Sequence, residues 1–265
     1  VSLMGVLGAF IFASQMVNFT IPGTGSSGHL GGGLLLAILL GPAAAFLVQA
    51  SVLTVQALFF ADGGLLALGC NIWNLGVYPC FIAYPLFYRP LAGDSRRSGK
   101  TLFAAVVSAV IGLQLGALSV VLQTLLSGKS ELPFRSFVLF MQPVHLVIGA
   151  VEGIVTAGVI NYVRSARPEL LDSVNRSRQM SGGISLKKVL ITFAALTVIA
   201  GGALSWFSST YPDGLDWSIR QLTGKSELPR EEHIATGVSQ GIQERTAVMP
   251  DYAFKQEKGE GRTGA

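Results

Sequence analysis

The segment TGSSGHLGGG, residues 24–33, places a single histidine among glycines and serines, directly before an apolar run. Glycines let a backbone approach a ligand closely, and a neutral imidazole suits nickel, cobalt, copper or zinc. His29 is therefore a candidate metal ligand, and Ser27 is a candidate for ordering the loop around it. Two structural alternatives remain open, since His29 could instead cap the following helix or contact lipid headgroups.

A second glycine-containing loop, ADGGLLALGCN at residues 61–71, has a polar residue near each end. Asp62 could order the loop by accepting hydrogen bonds from backbone N–H groups. It could instead orient the imidazole of His29 by a hydrogen bond, without binding the metal itself. Asn71 stands where a helix is predicted to begin and could order the loop around the metal ligand or simply cap that helix.

His145 and Glu152 lie seven residues apart in QPVHLVIGAVEGIVTAG, which puts them on one face of a predicted helix. They could form a proton relay or a second polar site. We favour a structural pair of buried polar groups that bond to neighbouring helices. The glycines at 149, 153 and 158 predict close packing of this helix.

Other chemistry finds no support in the sequence. There is no phosphate-binding loop, GxSxG or HExxH motif, and three histidines in 265 residues cannot build a histidine-rich catalytic centre. Basic residues are not interleaved with aromatic ones, which argues against nucleic-acid binding. Cys70 and Cys80 fall in one predicted helix and are expected to be free thiols. We predict a protein that is not an enzyme and holds no permanent cofactor.

The elements that would carry these residues are membrane helices. Half of the residues are apolar, 13% are charged, and the mean hydropathy is +0.54. A spanning helix needs about 20 apolar residues. The predicted spans are 1–19, 43–60, 70–88, 101–126, 137–163 and 188–207. Residues 30–41 form a shorter apolar run that Gly41-Pro42 interrupts, so 30–60 predicts a half-length helix, a break and a full helix.

Lysines and arginines concentrate in the connections 88–100 and 163–188, which the positive-inside rule places in the cytoplasm. Counting spans from there puts residues 20–33, 61–71 and 208–265 on the extracytoplasmic side. The predicted fold class is an all-α integral membrane protein. It is a polytopic helical bundle with a broken helix, two irregular outer loops and a polar extracytoplasmic tail.

Several stretches together resemble the CbiM/NikM family, the substrate-binding membrane components of energy-coupling-factor (ECF) transporters for cobalt and nickel. They are LMGVLGAFIFASQMVNFTIPGTGSSGHLGGGLLLAILLGP, QALFFADGGLLALGCNIWNLG and HLVIGAVEGIVTAGVINYV. The resemblance covers roughly residues 1–165. After a basic linker at 166–187, residues 188–265 contain SSTYPDGLDWSI and MPDYAF and are similar to the PDGLE-type accessory component that is often fused in NikMN proteins.

The resemblance implies capture of one Ni(II) or Co(II) ion from outside in an all-nitrogen site, with His29 as one ligand. The other nitrogens would come from a Met-His N-terminus, which this sequence lacks, so we expect both chain ends to be incomplete. It also implies a prokaryotic cell membrane, a transmembrane coupling subunit and cytoplasmic ATPase subunits. The residues do not separate nickel from cobalt.

Two other functions remain as alternatives. A secondary transporter or channel for a small cation could use the broken helix at 30–60, although no second half of the sequence resembles the first. An intramembrane enzyme would need a nucleophile or more metal ligands beside His145 and Glu152.

Overall fold

We describe residues 2–93, 98–128, 132–166, 168, 171, 186–225 and 234–252 of a computed structural model of the chain. The helices are α1 Ser2–Gln15, α2 Gly33–Leu40, α3 Pro42–Phe59, α4 Leu65–Ala92, α5 Ser98–Leu126, α6 Phe134–Ala166, α7 Leu186–Val198, α8 Gly214–Thr223 and α9 Ile234–Thr246. Two short strands, β1 Phe19–Ile21 and β2 Ser26–Gly28, pair between α1 and α2.

Long apolar helices dominate the described chain and confirm the predicted all-α polytopic fold. Five of them are long and apolar enough to cross a membrane: Pro42–Phe59, Leu65–Ala92, Ser98–Leu126, Phe134–Ala166 and Lys187–Phe207. Which ends face the cytoplasm stays a prediction.

The predicted break between a short helix and a full helix is present. Helix α2 ends at Leu40, Gly41 takes φ 82° and ψ 159°, and Pro42 opens α3. A proline without an N–H is well placed at the first position of a helix. Leu34, Leu36 and Ala37 are fully buried, so α2 forms the centre of the apolar core.

The first predicted span, 1–19, is too long, because α1 ends at Gln15. The Gln15 side chain bonds to the loop after β2, and Phe19 already pairs with Gly28 in the hairpin. The tertiary partners of these residues therefore stop the helix about one turn before the apolar run ends.

The third predicted span, 70–88, begins too late. Helix α4 starts with a 3₁₀ turn at Leu65 and is already α-helical from Leu68, so Asn71 lies inside the helix and does not cap it. From Trp73 to Tyr88 the backbone has the wider π-helical winding, and both Pro79 and Pro85 lie in that part. Proline removes a helix N–H and clashes with the preceding turn of an α-helix, which favours looser winding there.

Helices α5 and α6 pack through glycine, as predicted for two of the three positions. A Cβ added at Gly149 would lie 2.7 Å from Val110 Cα, and one at Gly153 would lie 2.3 Å from Val106 Cα. Gly158 has nothing within 4 Å, so the prediction of close packing was wrong there.

Helix α7 continues to Phe207 and packs on α1, where the rings of Phe10 and Phe193 meet edge to face at 5.3 Å. Beyond it, the C-terminal segment, which we define as residues 208–225 and 234–252, lies over the end of the bundle that carries the hairpin. Most of the predicted linker at 166–187 lies outside the described residues.

Candidate functional site

The β1–β2 hairpin brings His29 to the end of the bundle. Thr20 pairs with Ser27 in antiparallel register, and the turn between the strands is held by the Thr24 hydroxyl, which lies 2.7 Å from that of Ser26. Both Ser26 and Ser27 are fully buried. The loop that looked irregular in the sequence is thus an ordered hairpin with His29 directly after its second strand.

One nitrogen of the His29 ring is hydrogen-bonded to the backbone of the next residue. Nδ1 lies 3.2 Å from the carbonyl oxygen of Leu30, which is the geometry of an Nδ1–H donor. That hydrogen bond selects the tautomer whose Nε2 carries the lone pair. The side chain is partly exposed, and within the described residues the hydrogen bond of the ring is at Nδ1, which leaves Nε2 for a ligand.

Glu152 binds the backbone directly after His29. Its Oε2 accepts from the N–H of Gly31 at 2.8 Å and its Oε1 accepts from the N–H of Gly32 at 3.2 Å. Glu152 is 4% exposed, and a buried carboxyl group requires such donors. We favoured neighbouring helices as the partners of Glu152, and the observed partners are instead the backbone N–H groups of the loop.

Two glutamines bind the same backbone segment through its carbonyl oxygen. The Gln15 and Gln49 amides donate to the carbonyl oxygen of Gly31 at 2.8 and 3.2 Å. Gln56 in turn donates to the side-chain oxygen of Gln15 at 2.9 Å. Side chains from α1, α3 and α6 therefore form hydrogen bonds with one backbone segment, Gly31–Gly32. These glutamines were not among the predicted site residues, although polar side chains within apolar helices are a signal for them.

Two glycines of the run of three, Gly32 and Gly33, are explained by close contacts. Gly32 has φ 79°, and a Cβ there would lie 2.7 Å from Ile11 Cδ1. At Gly33 a Cβ would lie 2.6 Å from Pro79 Cγ and 2.7 Å from the carbonyl oxygen of Leu75. Each glycine lets α1 or α4 approach the loop more closely than any side chain permits.

A cavity of about 160 Å³ opens beside His29, lined also by His145, Asn71, Asn74 and Asp213. His145 Nδ1 lies 2.8 Å from the carbonyl oxygen of Met141 in its own helix. His145 and Glu152 therefore share a helix face, but His145 faces this cavity while Glu152 binds the backbone of the loop.

The C-terminal segment covers the hairpin through hydrogen bonds. The Ser27 N–H donates to the carbonyl oxygen of Pro212 at 2.8 Å. The Ser27 hydroxyl donates to the carbonyl oxygen of Tyr211 at 2.7 Å. Asp213 then caps α8 by accepting from the N–H groups of Leu215 and Asp216. Ser27 thus orders the loop against the C-terminal segment.

The glycine of the PDGL stretch lies against the cavity. A Cβ at Gly214 would stand 2.8 Å from Val144 Cγ1 and 3.0 Å from His145 Cε1. Trp217, one turn later, meets Phe140 edge to face at 5.5 Å. This helix therefore forms part of the cavity wall and touches α6.

The second loop binds a different part of the C-terminal segment. The Asp62 carboxylate accepts a hydrogen bond from the Tyr252 hydroxyl, and the Asp62 N–H donates to the carbonyl oxygen of Gln56 at 3.1 Å. Its observed partner is thus Tyr252 and not the imidazole of His29. The Tyr252 ring stacks on Phe60 with the centroids 5.0 Å apart.

Both loops face a larger cavity of about 910 Å³, which we call the vestibule. Its lining includes His29 and four carboxylates, those of Asp62, Asp213, Asp216 and Glu244. Three of these four carboxylates belong to the C-terminal segment. Asn71 lines both the vestibule and the smaller cavity, so it borders the site without a capping role.

Within the part of the chain that the structure describes, no group of three or more His, Cys, Asp or Glu side chains could hold a metal ion together. Cys70 and Cys80 are free, as expected, with Cys70 exposed and Cys80 buried. Among the described residues, side chains of these four types therefore do not form a complete metal site around His29.

Two family models match the chain. Residues 1–170 match CbiM, described as the cobalt uptake substrate-specific transmembrane region, and residues 187–265 match the PDGLE domain. A putative fused nickel transport protein NikMN of Archaeoglobus fulgidus is 40% identical over 171 residues, which are 64% of this chain and 56% of that protein. The matched part is thus little more than half of that relative's length.

Further relatives extend the similarity. A probable fused nickel transport protein LarMN of Lactiplantibacillus plantarum is 28% identical over 262 residues, covering 95% of this chain and 76% of that protein. A crystal structure of a transition metal transporter is 30% identical with a TM-score of 0.52, covering 67% of this chain and 82% of that one.

Proposed function

This chain belongs to the CbiM family, and from that premise we propose that it is the substrate-binding component of an ATP-driven ECF-type importer that captures Ni(II) or Co(II) from the extracytoplasmic side. The observation that carries the proposal is the arrangement around His29. Its Nδ1 is tied to the backbone, its Nε2 is available, and the loop is held from three helices.

His29 acts as a neutral nitrogen ligand. Imidazole suits both Ni(II) and Co(II), and selectivity among such ions comes from geometry and ligand type more than from raw affinity. His29 supplies one nitrogen ligand. The family resemblance implies that further nitrogen ligands come from a Met-His N-terminus, and these complete the proposed site. Ser27, Asp62 and Asn71 do not bind the ion in this account, and Ser27 has the closest connection to the ligand loop.

The C-terminal segment assists loading of the ion. Its three carboxylates, Asp213, Asp216 and Glu244, line the vestibule that leads to His29. A cleft lined by one sign of charge raises the local concentration of the opposite ion. Divalent cations that arrive at this end of the bundle therefore meet an acidic surface before they meet the histidine.

ATP hydrolysis takes place in partner subunits. The sequence carries no phosphate-binding loop, so we expect a transmembrane coupling subunit and cytoplasmic ATPase subunits to drive transport. The predicted cytoplasmic connections at 88–100 and 163–188 would face these partners. Helix α2 packs as the apolar core of the bundle, which argues against the alternative of a channel through the broken helix.

Calorimetric titration of Ni(II) and Co(II) into the full-length protein with its native N-terminus tests the proposal. We expect one-to-one binding that the His29→Ala variant loses, and the preferred ion names the substrate. The comparison variant is His145→Ala, which removes the other histidine of the cavity and is expected to weaken binding far less. Absence of binding in the parent protein, or unchanged binding in His29→Ala, would refute the proposal.

A further inference from the structure

The hydrogen bonds behind His29 form a continuous chain through one peptide unit. The Leu30 carbonyl, which accepts from His29 Nδ1, and the Gly31 N–H, which donates to Glu152 Oε2, belong to the same peptide bond. A peptide bond is planar and trans, so its C=O and N–H point in opposite directions. Fixing the N–H on the carboxylate therefore fixes the direction of the carbonyl that receives the imidazole.

The next peptide unit is fixed as well. Its N–H, from Gly32, donates to Glu152 Oε1 at 3.2 Å, and its carbonyl, from Gly31, accepts from Gln15 and Gln49. One buried carboxylate thus receives two consecutive N–H groups. Rotation of either peptide unit would break these hydrogen bonds. The buried groups would then have no partner, and an unpaired buried polar group costs free energy.

We infer that Glu152 is a positioning residue for His29, the outer carboxylate of a carboxylate–peptide–imidazole chain that presents Nε2 to the metal. Metal-bound histidines commonly donate their second ring N–H to a carboxylate or to a backbone carbonyl, which fixes the tautomer and raises the basicity of the ligand nitrogen. Here a peptide bond stands between the two. Hydrogen bonds in a chain polarise one another, so the carboxylate strengthens the Leu30 carbonyl as an acceptor.

The inference deepens the proposed function and rests on it for its effect on metal affinity. The Glu152→Gln variant keeps the size of the side chain, but its amide NH₂ would face one of the two backbone N–H donors. We expect the dissociation constant for Ni(II) or Co(II), measured by calorimetry on the full-length protein, to rise about 10- to 100-fold, as is usual for loss of such a partner.

The Glu152→Asp variant separates positioning from simple charge attraction. Aspartate keeps the negative charge but is shorter by one methylene and cannot reach both N–H groups in the same way. Positioning predicts that the dissociation constant still rises about tenfold, within the range for lost outer partners. A dissociation constant within about twofold of the parent value, well below that range, would show attraction by the charge and overturn the inference.

The matched control is Gln114→Leu. Gln114 and Gln142 link α5 to α6 through part-buried hydrogen bonds, at 2.8 and 3.3 Å, and among the described residues they bond to each other rather than to the His29 loop. This variant is expected to lower the thermal midpoint without changing metal affinity. If its dissociation constant rises as much as that of Glu152→Gln, general loosening of the bundle explains both and the inference is wrong.

A readout on the metal-free protein keeps the inference distinct from the proposed function. Nitrogen NMR of ¹⁵N-labelled histidine reports which ring nitrogen carries the proton. We expect the Nδ1–H form of His29 in the parent protein and a mixture of tautomers in Glu152→Gln. If that shift occurs but the parent binds no metal, the proposed function fails while the positioning stands. If the parent binds metal through His29 and Glu152→Gln changes neither tautomer nor affinity, the positioning alone fails.

Discussion

The two glycine-containing loops of the site look alike in sequence and differ in the contacts around their glycines. In the first loop, at Gly33, an added Cβ would lie 2.7 Å from a backbone oxygen of α4. In the second loop, a Cβ at Gly64 would meet nothing within 4 Å. Gly33 therefore serves close packing, whereas Gly63, with φ 67°, serves the turn beside Asp62. A Cβ added at Gly63 would meet the Asn71 side-chain amide, at 2.8 Å.

The two loops also differ in burial. Ser26 and Ser27 of the first loop are fully buried, while Asp62, Gly63 and Gly64 are exposed. Buried polar groups need hydrogen-bond partners, whereas exposed ones can use water. The loop held by its surroundings is the one that carries the candidate ligand, and a fixed backbone is what a metal site with a defined geometry requires.

Alanine substitution at a glycine of each loop should separate them most clearly. Gly33→Ala forces a methyl group onto Pro79 and the backbone of Leu75, and overpacking of this kind costs about 1–3 kcal/mol. Gly64 has φ −57° and ψ 141°, which alanine adopts freely, so Gly64→Ala is expected to be neutral or to stabilise by about 0.5 kcal/mol.

Unfolding in detergent micelles, followed by circular dichroism, measures both changes. Equal destabilisation by the two variants would remove the distinction between a packed loop and an open one.

Loss of the Ser27 hydroxyl should release the C-terminal segment from the hairpin. Ser27→Ala removes the donor to the Tyr211 carbonyl, and a lost hydrogen bond of this kind costs about 1 kcal/mol. Hydrogen exchange of the amides at 213–218 should become faster. Thr20→Ala is the control, because the Thr20 hydroxyl makes its bond to Ser209 at an exposed position. Similar exchange in both variants would contradict the assigned role of Ser27.

The smallest effect is expected at the second loop. Tyr252→Phe removes the hydroxyl that donates to the Asp62 carboxylate but retains the ring that stacks on Phe60. Because the lost hydrogen bond is exposed, the stability should change by less than about 1 kcal/mol. Metal affinity, measured by the same titration, should stay at the parent value. A large loss of affinity would place Asp62 in the metal site and reverse the ranking of the two loops.

Much of the fold could be predicted from apolar runs and proline positions. The break at Gly41 and Pro42 followed from local backbone chemistry, and the long helices followed from their length in apolar residues. The end of α1 at Gln15 could not be predicted that way, because a tertiary hydrogen bond to Gly31 and the pairing of Phe19 end the helix.

The candidate site was only partly predictable for the same reason. His29 stands out by residue type as a lone imidazole among glycines and serines, and the family resemblance favoured a ligand role over the two structural alternatives. The role of Glu152 depends on a contact 121 residues away along the chain, and spacing within α6 pairs it with His145 instead. The partner of Asp62, Tyr252, is 190 residues away. Such long-range contacts leave no periodic signal in a single sequence.

The most direct test of the account is anomalous X-ray diffraction from crystals of the full-length protein grown with Ni(II) or Co(II), recorded at the absorption edge of the metal. We expect one strong peak at about 2 Å from His29 Nε2, the usual length of a metal–imidazole bond. A peak held by His145 and Asp213, with His29 turned away from it, would contradict the central claim that His29 is the ligand of the transported ion.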